Sequence, residues 1–406
     1  MDSSLIYSVG TARGGTNLLN LILNVNNQIH LSQDPMLSLF KSFRDALTGE
    51  LGNVNINSNS KDPLEANYLP LDEYYYFDHK LDVMNLIQNS SLDITFNIKE
   101  AEILRNSLAS RMKLSSPLLI EHLHLLEGKT YKELLNSAQM IMAKSWNTQG
   151  IKWQGFNENW AIEFIKPISK SFTDAKFLIL IRDVRSAISS HINLVDHKSL
   201  NRLYQYEKDA NMIAGILSFS RCWRKQVAFM NKYKSSELSE KIHVIKYEDL
   251  VTNSEEEVKK VCKFLEIDFS DNMLNTEKFI APDGGKWLPN SNHDGVPKKG
   301  IYSSTIDKWK SNLPSEMISL IEFVCGPELE SLGYRLENDF HSFPNDAFEF
   351  HTLDHNNTKG WRTDNFDPLM DFSFEVLRRS LLEFESDNDD MIRKCFLFKE
   401  SYKALL

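Results

Sequence analysis

The stretch LIYSVGTARGGTNLL, residues 5–19, contains the pattern that decides the fold. An apolar run ends at Gly10, and from Leu18 the leucines and isoleucines recur on one face of a helix. A buried strand, a glycine-rich turn and an amphipathic helix in succession predict the first unit of an α/β fold.

Two later segments repeat this order of strand, turn and helix. The apolar segment Lys176–Ile181 precedes a turn and a helix that starts near Ser186, and Ile242–Tyr247 precedes an amphipathic helix over 254–265. Ser254 and Glu257 have the spacing of a capping box at the start of that last helix. Strands separated by helices predict a P-loop-like three-layer α/β fold, with a central parallel sheet flanked by helices.

Helical patterns also occupy the segments outside these units. A large helical insertion is predicted over about 35–150, with apolar residues at helical spacing in 35–47, 80–87 and 129–144. Within it, residues 52–61 read as a polar loop, and the aromatic cluster at 72–77 favours core packing over a substrate wall. We expect one catalytic domain over 1–335 and an extension over 336–406 with a helix from about Pro368 to Phe384.

Composition excludes several classes of protein. The 406 residues include 46 basic and 56 acidic ones, so the formal charge of −10 argues against nucleic-acid binding. We see no apolar run near the roughly 20 residues of a membrane span, and no basic leader before an apolar segment. The four cysteines stand far apart, so we expect no disulfide framework or zinc site, and a cytoplasmic location. Any bound anion must be held by a few local groups.

The glycine-rich turn has the spacing of a phosphate-binding loop. Gly10 and Gly15 are separated as in the P-loop pattern, but Thr16 takes the place of the usual lysine and Arg13 lies inside the loop. Glycines allow the backbone to approach an anion closely, and the following helix directs its first amides toward it. The alternative is an ordinary glycine-rich strand-to-helix turn.

A second anion site is predicted where the second strand ends. Arg182 follows this strand, and Ser190 lies eight residues later in the next helix. Ligands of open α/β sheets bind beyond the carboxyl ends of the strands, so Arg182 and Ser190 are expected to grip one phosphate from two sides. The alternative is a structural arginine–aspartate pair.

Together these segments resemble the sulfotransferase family, which uses 3′-phosphoadenosine 5′-phosphosulfate (PAPS). The first loop resembles the family's 5′-phosphosulfate loop, and RDVR, residues 182–185, resembles its Arg-Asp-Pro-Arg motif for the 3′-phosphate. Further blocks at 245–250, 262–267, 300–309 and 332–334 are similar to later family segments. Departures are Gly14 where the family has serine, Asn17 where a second threonine is common, and Val184 in place of proline.

The resemblance implies PAPS as donor and PAP as product, without a metal. Lys299 and Gly300 resemble a basic element of the family that clamps the nucleotide from a lid at 282–300. The only metal-ligand pattern in the sequence, His122-x-His124, is weak. The implied donor-binding residues are Arg13, Gly14, Gly15, Thr16, Asn17, Arg182, Ser190, Tyr247, Lys299 and Gly300.

Three residues are the candidates for catalysis. Arg13 would neutralise charge on the leaving phosphate, and Lys152 resembles a family lysine that supports the bridging oxygen. Gln154 stands where some members have a basic histidine, so Asp34, placed like the glutamate of other branches, is the expected general base. The alternative is that Asp34 caps the helix that Pro35 opens.

The predicted reaction is sulfuryl transfer to a hydroxyl or nitrogen of a small molecule. The negative charge favours a neutral or cationic acceptor, such as an amine- or guanidinium-bearing specialised metabolite, and we expect no nucleic-acid or membrane partner. The sequence leaves open whether the protein forms a homodimer. One alternative is a P-loop kinase-like phosphotransferase, disfavoured by the absence of the loop lysine and of a nearby magnesium carboxylate. Another is a non-catalytic nucleotide-binding protein on the same fold.

Overall fold

A parallel β-sheet forms the centre of the molecule. The computed structural model describes residues 3–49, 79–95, 98–148, 150–192, 210–287, 300–338 and 368–406. Within these ranges the sheet has five strands in the order β2-β3-β1-β4-β5, and every neighbouring pair is parallel. The strands are β1 (Ser4–Gly10), β2 (Ile29–Gln33), β3 (Trp153–Asn159), β4 (Lys176–Ile181) and β5 (Ile242–Lys246).

The central strands are buried because helices cover both faces of the sheet. In β1, Leu5, Tyr7 and Val9 belong to one apolar core, whereas Ile6 belongs to the core on the opposite face. This alternation follows from the two-residue period of a strand. The predicted strands β1 and β4 are confirmed, the predicted third strand is confirmed as β5, and the predicted α/β fold with a central parallel sheet is confirmed.

The described residues between β2 and β3 are helical apart from their connecting loops. The helices predicted over 35–47, 80–87 and 129–144 are confirmed within two residues at each end, while the helix Ile98–Ser115 had no prediction of its own. A 3₁₀ segment covers Pro117–Leu125. The polar loop at 52–61 and the aromatic cluster at 72–77 lie outside the described residues. The first helices are α1 (Thr16–Leu23), α2 (Leu37–Gly49), α3 (His79–Asn89), α4 (Ile98–Ser115) and α5 (Tyr131–Ser145).

The later helices complete the two outer layers and the extension. The predicted capping box is wrong: Ser254 is the first helical residue, Asn253 takes the cap position, and Glu257 pairs with Lys260 at 2.6 Å. The helices are α6 (Ile165–Ser171), α7 (Val184–Ile192), α8 (Ala210–Lys234), α9 (Tyr247–Thr252), α10 (Ser254–Leu265), α11 (Trp309–Asn312), α12 (Ser315–Ser331), α13 (Pro368–Glu383), α14 (Asp389–Cys395) and α15 (Lys399–Lys403).

The appended helices α13–α15 enclose a small apolar cluster of their own that includes Leu381, Ile392 and Phe396. The domain limits at 335 and 336 stay a prediction. No helix in the described part of the chain combines the length and apolarity needed to cross a membrane.

The strand order places a crevice between β1 and β4. The chain leaves β1 toward β2 on one side of the sheet and leaves β4 toward β5 on the other side. The two connections therefore diverge beyond the carboxyl ends of neighbouring strands, which is where open α/β sheets bind their ligands.

Candidate active site

The loop between β1 and α1 forms a backbone cradle. Arg13 has φ of 62° and Gly15 has φ of 98°, both in the left-handed region. The Gly14 amide donates to the Thr11 carbonyl at 2.9 Å, and a Cβ on Gly14 would lie only 2.8 Å from that oxygen. The tight turn therefore needs glycine at 14 and brings the start of α1 over the end of β1. Asn17 lies exposed on the first turn of α1.

Arg182 lies beneath this loop, directly after β4. Its guanidinium donates to the Arg13 carbonyl at 2.8 Å and to Ser186 Oγ at 3.0 Å. It also stacks 4.2 Å from the centre of the Tyr247 ring. Arg182 Nε is buried and has no hydrogen-bond partner among the described residues. A buried charged donor without a protein partner makes this place a candidate position for a bound anion.

Arg13 extends from the loop to the start of the crevice. Its Nε donates to Ser190 Oγ at 3.0 Å, and the expected grip of Ser190 and Arg182 on one phosphate stays a prediction. Burial, then the proximity of Arg182, lowers the pKa of Arg13. Among the described residues no carboxylate forms an ion pair with either arginine. One buried and one half-buried guanidinium group, neither paired with a described carboxylate, fit the phosphates of the expected donor.

Tyr247 closes the opposite side of the loop. A Cβ on Gly15 would lie 2.3 Å from this ring, and the Tyr247 hydroxyl lies 3.4 Å from Thr305 Oγ1. Gly300 has φ of 91° and donates its amide to Thr276 Oγ1 at 3.2 Å, and the chain then passes the site at Ile306, whose carbonyl accepts from Ser186. Lys299 lies outside the described residues, so its expected contact stays a prediction.

Asp34 lies at the end of β2 and is linked to the loop. Its carboxylate accepts from Asn159 Nδ2 at 2.9 Å and from Asn157 Nδ2 at 3.2 Å. Thr16 Oγ1 in turn donates to Asn159 Oδ1 at 3.2 Å. The helix-capping alternative fails, because the Met36 amide ahead of α2 donates to Glu158 instead. Asn159 therefore bridges the phosphate-type loop and a buried carboxylate.

Burial controls the charge of this carboxylate. The pKa of Asp34 is raised by burial, and nearby Arg111, whose Nε donates to the Asp34 carbonyl at 3.1 Å, and the Asn159 hydrogen bond oppose that rise. The pKa of Glu158 is raised well above its ordinary value by burial and then by the charge of Asp34. Two neighbouring buried carboxyl groups resist joint ionisation, so a proton can be held at this place.

The structure does not bring Lys152 to the loop. Lys152 precedes Trp153, which pairs with Ser4 at the amino end of β1, whereas the loop follows Gly10 at the other end. With a rise of roughly 3.3 Å per residue, the two ends lie about 20 Å apart. Lys152 Nζ instead donates to the Glu266 carbonyl at 2.8 Å. The predicted support of the bridging oxygen by Lys152 is therefore wrong.

Side chains that contact Asp34 and Thr16 at the carboxyl end of β3 were not among the predicted site residues. The segment Asn157-Glu158-Asn159 follows buried residues of that strand, and this polar run was the available signal. Without a prediction that β3 lies between β1 and β2, it could not be assigned to the crevice. Arg111 comes from the insertion and gives no local signal. Gln154 is buried within β3 and accepts from Thr148 Oγ1 at 2.7 Å.

Arg185, the last residue of the RDVR segment, has a structural role. Its guanidinium pairs with Asp183 at 2.6 Å and with Glu322, and it stacks 4.0 Å from the Trp309 ring. The charge is therefore neutralised within the protein and fastens α7 to α12.

The described ranges contain no group of three or more histidine, cysteine or acidic residues that could hold a metal ion. The rings of His122 and His124 lie 6.5 Å apart in the 3₁₀ segment. All four cysteines are buried and free of disulfides.

Comparison with known proteins identifies related sequences and folds. The profile described as the Sulfotransferase family matches residues 6–271. Protein-tyrosine sulfotransferase of Drosophila melanogaster is 25% identical over 167 residues, which are 40% of this chain and 31% of that protein. Protein-tyrosine sulfotransferase 2 of Gallus gallus is 26% identical over 169 residues, 41% of this chain and 42% of that protein. The chain thus spans less than half the length of these relatives.

Solved structures with a similar arrangement are more distant in sequence. The Sulfotransferase Domain from the Curacin Biosynthetic Pathway has a TM-score of 0.46 at 15% identity, covering 82% of this chain and 99% of that one. Sulfotransferase STF9 from Mycobacterium avium has a TM-score of 0.41 at 12% identity, covering 84% of this chain and 79% of that one.

Proposed function

The chain belongs to the sulfotransferase family, and we propose that it moves the sulfuryl group of PAPS to a hydroxyl or nitrogen of an acceptor. The observation that carries the proposal is the pair of arginines at the glycine-rich loop, of which Arg182 is buried and Arg13 half-buried. Arg13 and Arg182 lie together at the crevice between β1 and β4, and Arg182 Nε has no partner among the described residues. A multiply charged nucleotide would supply the missing anions.

Different groups of the site would bind different parts of the donor. Arg182, stacked on Tyr247, and the Arg13–Ser190 pair would bind phosphate oxygens. The amides at the start of α1 would bind the phosphosulfate end, because they are directed away from the helix toward the loop. These cations and amides need no metal to stabilise negative charge on the leaving phosphate.

Asp34 acts as the general base in this proposal. The acceptor oxygen or nitrogen forms a bond to sulfur while the bond from sulfur to the bridging oxygen breaks, and that electron pair stays on the 5′-phosphate of PAP. The acceptor proton passes to the Asp34 carboxylate, which Asn159 holds beside Thr16. The raised pKa of Asp34 increases its ability to take a proton at neutral pH.

The net charge of the protein favours one class of acceptor. A chain with formal charge −10 repels anionic polymers, so a neutral or cationic small molecule is the first candidate. A second candidate is a protein tyrosine, favoured because the curated relatives are protein-tyrosine sulfotransferases. The cytoplasmic location and a homodimer stay predictions.

Transfer of radiolabelled sulfate from PAPS in the presence of EDTA tests the proposal. The acceptor panel contains phenols, amines, guanidinium compounds and tyrosine peptides, each tested with the wild type and with Asp34→Asn. We expect transfer to at least one acceptor by the wild type and a large loss in the variant. Transfer of phosphate from a magnesium nucleotide would favour the kinase-like alternative, and PAPS binding without transfer to any acceptor would favour a non-catalytic protein.

A further inference from the structure

One turn of α8, residues 223–226, contacts the strand ends that form the proposed donor site. Trp223 Nε1 donates to the Arg182 carbonyl at 2.8 Å. Gln226 Nε2 donates to the Leu180 carbonyl at 2.6 Å. Both acceptors belong to the end of β4 or the residue after it, so this turn fixes the backbone from which the Arg182 side chain extends.

The same turn also holds the end of β3. Lys225 Nζ donates to the Trp160 carbonyl at 2.9 Å and pairs with Glu163 at 2.9 Å. Trp160 has φ of 69°, a conformation that a bulky side chain rarely adopts without outside support. Its amide donates to the Gly10 carbonyl at 2.9 Å, directly before the glycine-rich loop. Lys225 thus supports a strained residue that touches the base of the loop.

The fourth residue of the turn faces the appended helices. Arg224 Nη1 donates to Glu375 of α13 at 2.6 Å and to the Val324 carbonyl of α12 at 3.0 Å. Glu375 also pairs with Arg378 at 3.1 Å, and Arg378 pairs with Glu328. The side chains of Arg224 and Glu375 are no more than 1% exposed, so the ion pair is shielded from water.

Successive helical residues point about 100° apart, so a fully buried turn can hold four neighbours at once. We propose that the appended helices form part of the donor site: Glu375 fixes Arg224, and the turn 223–226 thereby positions Arg182 and the base of the glycine-rich loop. Glu375, Arg224 and Trp223 are positioning residues, because they act through Arg182. Glu375 lies outside the residues matched by the family profile. The inference rests on the proposed donor site.

Calorimetric titration of PAP into the full chain tests this link, together with steady-state kinetics. Glu375→Gln keeps the shape of the side chain but removes the carboxylate nearest to Arg224, leaving Glu328 at 3.8 Å from Arg224 Nε. We expect its dissociation constant for PAP and its KM for PAPS to rise about 3- to 30-fold, with kcat and the acceptor KM close to wild type. Trp223→Phe keeps an aromatic ring but loses the hydrogen bond to the Arg182 carbonyl. It should likewise weaken PAP binding and raise the KM for PAPS while kcat and the acceptor KM stay close to wild type.

The double variant Glu375→Gln, Trp223→Phe tests whether the two substitutions weaken PAP binding through one shared contact or independently. If Glu375 acts through Trp223, the double variant binds PAP no more weakly than the poorer single variant. Asp389→Asn is the control, since it breaks another ion pair of the extension, 2.5 Å from Lys399, whose two side chains are about half exposed. It should bind PAP like the wild type.

Two results would overturn the inference. One is wild-type PAP affinity in a folded Glu375→Gln protein, and the other is full additivity of the two substitutions. If Glu375→Gln does not fold, Glu375→Asp replaces it and must show the same weakening. Failure of the wild type itself to bind PAP would instead contradict the proposed function.

Discussion

At the scale of single residues, the proposed donor site depends on two neighbouring arginines, one of which, Arg182, has a buried Nε without a partner among the described residues. Arg13 and Arg182 were predictable because each follows a recognisable strand, and parallel strands end at the same edge of a sheet. Asp34 was predictable from its place after the first helix. Lys152 was misplaced because β3 was not predicted, so nothing in the sequence indicated that Lys152 precedes a strand whose other end faces the loop. Arg111 could not be predicted, since only tertiary packing brings it to Asp34.

Asp34→Asn should separate chemistry from donor binding. The amide keeps a similar shape but cannot accept the acceptor proton, so we expect kcat to fall by roughly 10²- to 10⁴-fold. PAP affinity, measured by calorimetry, should stay near wild type because the donor's phosphates contact the arginines. Turnover at the wild-type rate would remove Asp34 from the mechanism.

The pH dependence of kcat should follow the ionisation of Asp34. A base must be deprotonated to accept a proton, so the rate rises with pH through the pKa of Asp34. Because burial raises this pKa, the acid limb of the pH–rate profile lies above the ordinary carboxyl range. Arg111 lowers the pKa of Asp34, so Arg111→Met should move the acid limb to higher pH. A pH–rate profile of both proteins checks the direction, and an unchanged or lower midpoint would contradict it.

Glu158 should make the protein less stable as pH rises. Its pKa in the folded protein is raised by burial, so the folded state holds a proton that the unfolded chain releases. The free energy of unfolding therefore declines as pH increases from the ordinary glutamate pKa through the folded one. Glu158→Gln should flatten this decline in urea unfolding curves recorded across that range. An identical slope in both proteins would exclude the assignment.

At the scale of elements, strongly patterned segments were predicted well and weakly patterned ones were not. β1 and β4 are continuous apolar runs buried on both faces, and the amphipathic α10 shows a clear helical period. β3 contains Gln154, Asn157 and Glu158, which resemble loop residues in the sequence, although all three are buried. Most of their side-chain partners, Asn20, Asp34 and the Met36 amide, lie more than 100 residues away in the chain, so tertiary contacts outweigh local pattern there.

The glycine-rich loop should not tolerate a side chain at Gly15. A Cβ there would lie 2.3 Å from the Tyr247 ring, displacing the ring that stacks on Arg182. We expect Gly15→Ala to lose most PAP affinity. Gly150→Ala is the matched control, because Gly150 also has positive φ, at 78°, but no atom within 4 Å of its Cβ position. Equal PAP affinity in the Gly15 variant and its control would contradict the described packing.

At the scale of the whole molecule, a few cations bind an anion against a negative mean field. The net charge of −10 leaves the donor to local groups, whereas the acceptor meets the protein's long-range field. The sequence alone predicted that a few local cations bind the donor and that the net charge bears on the acceptor. It could not show that α8 joins the appended helices to the strand ends, because the contacts of Trp223 and Arg224 connect segments that are far apart in the chain.

Salt should distinguish acceptors by charge. For a cationic acceptor, kcat/KM should fall as ionic strength rises from about 0.01 to 0.15 M, because the Debye length shortens from roughly 30 to 8 Å. A neutral acceptor of similar size should show little change. Steady-state rates on such a pair, at saturating PAPS, check this expectation, and a parallel response of both acceptors would argue against steering by the acidic surface.

The most direct test of the account is calorimetric titration of PAP and of ADP, without magnesium, into the wild type and Arg182→Met. If Arg13 and Arg182 form a site for a 3′-phosphorylated nucleotide, the wild type binds PAP more tightly than ADP. The variant, which loses the buried guanidinium, should lose that preference. Equal binding of the two nucleotides by the wild type, or unchanged PAP affinity in Arg182→Met, would contradict the proposed donor site.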